Sequence, residues 1–215
     1  MPNKYIRKAE NKYRKLLAEE CRMLFSGTHM PSHDHLHHER VWENAVQLLE
    51  RLYSAEMISG PSMAEKTIIA SFFHDTGLTI NQGTEHGRES RMLCSHFLEN
   101  SGLPEENRLD ILEAVERHDD KSYTEASDPS SLAAVVSVAD DMDAFGPEGI
   151  ERYIEIYSIR GIAGDEMPQM IIDNAASRFR HLALTYPMFP DLVEHQQKRF
   201  ETVIQFFQNQ KDEKN

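Results

Sequence analysis

The chain of 215 residues carries 36 acidic and 23 basic side chains, a formal net charge of −13, with 40% hydrophobic and 27% charged residues. That apolar fraction supports a packed core, and the acidic excess, without a Lys/Arg-rich cluster, argues against a nucleic-acid polymer or an anionic membrane as partner. No apolar window approaches the ~18 residues of a membrane span, and the first residues lead into a charged amphipathic stretch instead of a secretory signal, so a cytoplasmic location is expected.

Nearly every periodic segment reads as helix. Ile6, Tyr13, Leu16, Leu17, Leu24 and Phe25 recur at helical intervals over 4–25, and Ser26 to Ser32 break the pattern. Val41, Trp42, Ala45, Leu48, Leu49 and Leu52 give a second amphipathic helix that begins inside a histidine run. Gly60-Pro61-Ser62 opens a third, with proline tolerated where first-turn amides lack partners. This third helix is almost wholly apolar through Phe73, and Gly77 is its expected terminator. Further helices are predicted over about 87–100, 105–118, 131–144, 147–159, 168–185 and 190–209, with only Ala133 to Val138 carrying strand character. The expectation is one all-α domain, its core at about 26–165, with a helical C-terminal appendage over about 166–210. Cys21 and Cys94 lack CxxC spacing and read as reduced core residues. Phe200, Ile204, Phe206 and Phe207 read as core or as the surface of a homodimer.

His74-Asp75 emerges directly from the apolar run ending Ser71-Phe72-Phe73. Burying an unpaired carboxylate costs several kcal/mol, roughly, so something must neutralise it. Taken alone, the pair reads more readily as a capping histidine and an aspartate bonding its own loop. Two other segments offer similar groups. In His37-x-x-Arg40 a three-residue helical step puts imidazole and guanidinium on one face, one suited to a metal and the other to a substrate oxyanion. Asp140 ends the apolar run Leu132 to Ala139. Imidazole with carboxylate suits Mn, Fe, Co, Ni or Zn better than Ca or Mg.

The order His37-x-x-Arg40-Val41, His74-Asp75, Ala139-Asp140-x-Met142-Asp143-Ala144 resembles the HD-domain superfamily of metal-dependent phosphohydrolases. The likeness is to small bacterial HD proteins with His-Asp-x-x-His-x-x-Arg-Val, here His33-Asp34-His35-Leu36-His37-His38-Glu39-Arg40-Val41, and it covers about residues 30–165. It implies a mostly helical fold and a mononuclear site of His37, His74, Asp75 and Asp140, one divalent transition metal per chain being favoured over two. His86 and His118 stand where some HD subfamilies hold a second ion, with the aspartate of the His-Asp pair bridging both. Each reads equally as a substrate-facing or helix-capping histidine. The paired histidine and Gly-Tyr-Pro element of cyclic-dinucleotide phosphodiesterases are absent, His118-Asp119-Asp120-Lys121 standing instead. His29, His33, His35 and His38 read as exposed or supporting imidazoles, with His38 an alternative ligand if the helix register shifts; His96, His181 and His195 read as surface or groove residues. Asp141 and Asp143 read as helix caps in preference to partners of the ligands.

The resemblance leads to a mechanism in which a metal-activated water attacks phosphorus in line. Asp75 would orient or deprotonate that water, Arg40, Lys121, Arg88 and His86 would bind the small phosphorylated substrate, which includes nucleotides, and His118 or Asp119 would protonate the leaving oxygen. Two other classes stand beside it: a di-iron HD-type oxygenase acting on a small alcohol or phosphonate, which needs both His86 and His118 as ligands, and a non-catalytic nucleotide-sensing module.

Overall fold

Asp34 starts the helix that carries the histidine run. Its Oδ1 accepts the backbone N–H groups of Leu36 at 2.9 Å and His37 at 3.4 Å, and so α2 (His35–Ser54) begins with His37 in its first turn. The computed structural model describes residues 3–83, 85–119, 128–162 and 164–212. Around α2 it arranges α1 (Lys4–Phe25), α3 (Ser62–Phe73), a 3-10 turn at Thr76–Thr79, α4 (His86–Leu98), α5 (Glu105–Arg117), α6 (Leu132–Asp143), α7 (Gly146–Ile159), α8 (Met167–Thr185) and α9 (Pro190–Asp212). The described residues contain no strand, and Ala133–Val138 lie inside α6. Burial on every side suits the β-branched residues of that helix as well as a sheet would. No helix among the described residues is long and apolar enough to cross a membrane.

The all-round apolar character of α3 follows from its position. It is packed among α1, α2, α5 and α6, and nine of its twelve residues are buried. Each fully buried Ile or Phe contributes roughly 1.5–3 kcal/mol, which is what holds the polar residues that follow this helix inside the protein. Cys21 and Cys94 are free and buried in the same core, and burial pushes both thiols upward from their ordinary pKa.

The helices after residue 165 serve two clusters. Leu182, Tyr186 and Leu192 join the main core, while Ile171, Ala175, Val203 and Phe207 pack with Tyr153 and Tyr157 of α7 in a second one. Phe200 and Ile204 pack against the second cluster, and Phe206 alone of that aromatic stripe is substantially exposed.

Gly77 departs from its expected role. It lies inside the 3-10 turn and is not a left-handed helix terminator. A Cβ there would meet the carbonyl oxygen of His86 and the amide nitrogen of Ser90, so glycine lets the start of α4 press against the turn. Gly77 N–H in turn donates to Ser90 Oγ at 2.8 Å. The first turn of α2, the ends of α3, α5 and α6 and the start of α4 therefore supply the groups that meet at one point.

Candidate metal centre

His37, His74, Asp75 and Asp140 offer ligand atoms that all lie within 4.8 Å of one another. The two Nε2 atoms are 3.1 Å apart. Asp75 Oδ2 stands 3.4 Å from that of His37 and 3.5 Å from that of His74, and Asp140 Oδ1 stands 3.7 and 3.8 Å from them. Such spacings are the edges of a coordination polyhedron with bonds of about 2.0–2.2 Å. All four residues are buried.

A second group shares Asp75. Its Oδ1 is 2.9 Å from His118 Nε2 and 3.2 Å from His86 Nε2, and those two nitrogens are 3.2 Å apart. The far side of each ring settles its tautomer, because a carbonyl can only accept. Nδ1–H of His74 donates to Ser71 O at 2.8 Å, that of His86 to Gly83 O at 2.9 Å and that of His118 to Val115 O at 2.7 Å. In their neutral forms these rings turn bare Nε2 lone pairs towards each other and towards a carboxylate. Only a cation or a proton makes that stable, so the donor set fits divalent transition metals.

The electrostatics agree. Burial opposes charge on Asp75, but the surrounding imidazoles of His74, His118, His37 and His86 outweigh it and hold the carboxyl well below its usual range. Burial likewise opposes the His86 imidazolium, yet the Asp75 carboxylate pushes its pKa up to about 9. For His74 burial, joined by the neighbouring imidazoles of His118 and His37, outweighs the pull of Asp75 and Asp140 and lowers its pKa.

Asp143 and Asp141 are not simple helix caps. Asp143 Oδ2 is 2.7 Å from His37 Nδ1, an arrangement that orients a ligating imidazole and raises its basicity. Arg40 grips the same carboxylate through Nε at 2.8 Å and Nη2 at 3.0 Å, and Arg152 Nη1 adds a contact at 3.3 Å. Asp141 meets Arg178 Nη1 and His181 Nδ1, both at 2.8 Å. Asp140 is held from two sides, its Oδ1 by Arg152 Nη2 at 3.0 Å and its Oδ2 by Arg178 Nη1 at 2.8 Å. Three buried carboxylates at the end of α6 are thus matched by the buried guanidinium of Arg152 from α7 and the partly buried one of Arg178 from α8.

Over this centre lies a cavity of about 140 Å3, lined by Asp75, Asp140, His86 and His118 below and by His33, Asp119, Arg152, Tyr153, Tyr157, Arg160 and Arg178 among others around it. Its lining revises several expected roles. Arg40 does not line it, because the fork of its guanidinium is spent on both oxygens of Asp143. Arg88 is exposed on α4 and also lies outside the lining. His86 and His118 face Asp75 and each other. Asp119 does line the cavity, with Arg178 Nη2 4.0 Å away. Lys121 falls outside the described residues.

His33, expected as an exposed or supporting imidazole, is buried, with its Nδ1 2.9 Å from Glu155 Oε1. His38 is buried too, its ring against Phe25 and His74 at centroid distances of 5.1 and 4.9 Å, and it is not one of the clustered ligands. His181 is buried on Asp141 and is not a groove residue. Arg152, Arg178 and Glu155 were not singled out from the sequence. The usable signal was Asp140, Asp141 and Asp143 together: carboxylates ending a wholly apolar helix need cations from elsewhere, and Arg178 follows Ala175-Ala176-Ser177, small residues that let α8 approach closely.

A model of the HD domain matches residues 36–144, which contain every candidate ligand. A crystal structure of a protein from Lactobacillus plantarum has the same fold, with a TM-score of 0.65 at 18% identity over 99% of this chain and 98% of that one. No curated protein matches significantly. The candidate ligands gather at five helix ends, and the extent of the domain match shows that this chain belongs to the HD-domain family, within the superfamily of metal-dependent phosphohydrolases.

Proposed function

We propose that the protein is a phosphohydrolase with a dinuclear centre, His37, His74, Asp75 and Asp140 holding one divalent transition metal and Asp75, His86 and His118 a second. The observation that carries this reading is the division of Asp75, whose Oδ2 faces one imidazole pair and whose Oδ1 faces the other. Bound there, such ions supply Lewis acidity and an acidified water to a phosphoryl group. The chain's own residues fix the rest. Asp143 and Ser71 O hold the rings of His37 and His74 so that their Nε2 atoms point inward. Arg152 and Arg178 line the cavity beside Asp140 and are held by the α6 carboxylates, so they would offset negative charge arriving on a substrate through the local field and not as free donors. A cavity of about 140 Å3 accepts a phosphoryl head and little more, so the remainder of a nucleotide or sugar phosphate would lie at its mouth. This favours a small phosphorylated substrate over a polymer, in keeping with the net charge of −13.

The placement of both His86 and His118 on Asp75 equally meets the requirement of the di-iron oxygenase reading. Elemental analysis of protein purified without added metal, followed by a phosphate-release screen over nucleotides and sugar phosphates, separates the two. Phosphate release that chelation abolishes, and that Asp75→Ala lacks, supports hydrolysis. Two irons per chain with oxygen-dependent turnover and no phosphate release overturns it.

A further inference from the structure

Beyond the helices that carry the candidate ligands, α7 and its C-cap residue Arg160 form one wall of the cavity. Arg152, Ile156 and Arg160 follow at four-residue steps, with Tyr153 and Tyr157 beside them, and all five line the cavity over the metal centre. Helical rise separates the Cα atoms of Arg152 and Arg160 by about 12 Å along that wall. The inner guanidinium is buried and committed to Asp140 and Asp143. Arg178 is likewise committed, to Asp140 and Asp141. Arg160 differs from both: it is exposed and makes no side-chain hydrogen bond or ion pair with the described residues. Between the two ends that wall carries the rings of Tyr153 and Tyr157 and the side chain of Ile156. Tyr153 OH donates to Asn174 Oδ1 at 3.0 Å and Tyr157 OH to Met170 O at 3.4 Å, so both hydroxyls are engaged with α8.

We propose that Arg160 is a specificity residue that receives a second anionic group, so that the substrate is a small molecule with one phosphate at the metal centre and a distal anion on a short spacer. This rests on the phosphohydrolase reading for the identity of the inner group. A planar guanidinium with unused donors pairs with a phosphate or carboxylate through two parallel hydrogen bonds. The separation along α7 suits a spacer of several bonds better than two phosphates joined through one oxygen. Tyr153, Ile156 and Tyr157 give that spacer an apolar wall.

The test uses non-hydrolysable probes on the metal-loaded, full-length protein: hexylphosphonate and 1,6-hexanediphosphonate, which differ only in the distal anion. Calorimetry should show the diphosphonate binding about tenfold more tightly, the worth of one charged hydrogen-bonded pair. Arg160→Gln should erase that preference while leaving the Kd of hexylphosphonate within about twofold, and Arg160→Lys should keep part of it. Equal affinity of the two probes for the unaltered protein, or equal weakening of both by Arg160→Gln, overturns the proposal. Failure of the hydrolytic reading has a different signature: no phosphate release from any monoester while the diphosphonate preference is still measured.

Discussion

Asp143 receives His37 Nδ1 at 2.7 Å from a helix 106 residues further along the chain. The same carboxylate is gripped by Arg40, three residues after His37 on α2. One aspartate thus joins the first turn of α2 to the last turn of α6 and sets the direction in which His37 Nε2 points. Burial opposes its charge, but His37, Arg152 and Arg40 outweigh that and keep the carboxyl far below the ordinary range. Its place in the proposed centre is to position His37.

Asp143→Asn keeps the shape and removes the charge. Metal affinity should fall about 10–100-fold, the usual cost of losing such an outer partner, while the helical circular-dichroism spectrum stays unchanged. A competition titration with a chromophoric chelator measures it. Unaltered affinity would show that His37 is oriented by α2 alone.

The pH response of chelator-stripped protein should have two limbs. Burial opposes the charged form of His86, yet Asp75 raises its pKa from 6.5 to about 9, so the folded protein holds that proton more tightly than the unfolded chain does. Its stabilising contribution is complete below 6.5 and is lost as the pH rises through about 9. His33 behaves oppositely: burial lowers it from 6.5 to about 4, so its contribution is present above 6.5 and is lost as the pH falls through about 4. Thermal melts across this range should show His86→Gln flattening the alkaline limb only. If the variant melts like the parent protein above pH 7, the Asp75–His86 pairing is wrong.

The helical fold was legible because amphipathic periodicity records which face is buried, and the observed helix ends lie within about three residues of those expected, the scatter normal for helix termini. The clustering of His37, His74, Asp75 and Asp140 was legible through the order of motifs that resembles the HD-domain pattern, since His74-Asp75 alone reads more readily as a helix cap and a loop aspartate. Arg152 and Arg178 were not, since an arginine on a helix looks the same in sequence whether it meets water or a buried carboxylate. The expected use of Arg40 on substrate failed for a related reason: its spacing from His37 places it on the correct face but does not reveal that Asp143 meets that face first.

Arg178 offers a direct measure of how far α8 belongs to the centre. Arg178→Met leaves Asp140 without its contact at Oδ2 and Asp141 without its contact at Oδ1, both carboxylates being buried. Stability should drop by about 3 kcal/mol or more, read as a lowered urea midpoint, and added metal should restore part of it by neutralising Asp140. A midpoint within error of the parent protein would mean that α8 packs on the core without supporting the acidic cluster.

Gly77→Ala probes the second ligand pair without touching a ligand. The added methyl group meets the carbonyl of His86 and the amide of Ser90, backbone atoms that no rotamer change can move aside, so the start of α4 and the turn that carries Gly77 must move apart. Overpacking of this kind costs about 1–3 kcal/mol, and the shift acts on His86 at the first position of α4 but not on His37, His74 or Asp140, which come from other helices. The variant should therefore retain one tightly bound ion per chain while the second becomes weaker, by about tenfold if the ligand moves even a few tenths of an ångström. Metal-binding isotherms of parent and variant distinguish the outcomes: equal loss at both sites would show that the two ligand groups respond as one rigid unit, and no loss at either would remove His86 from the centre.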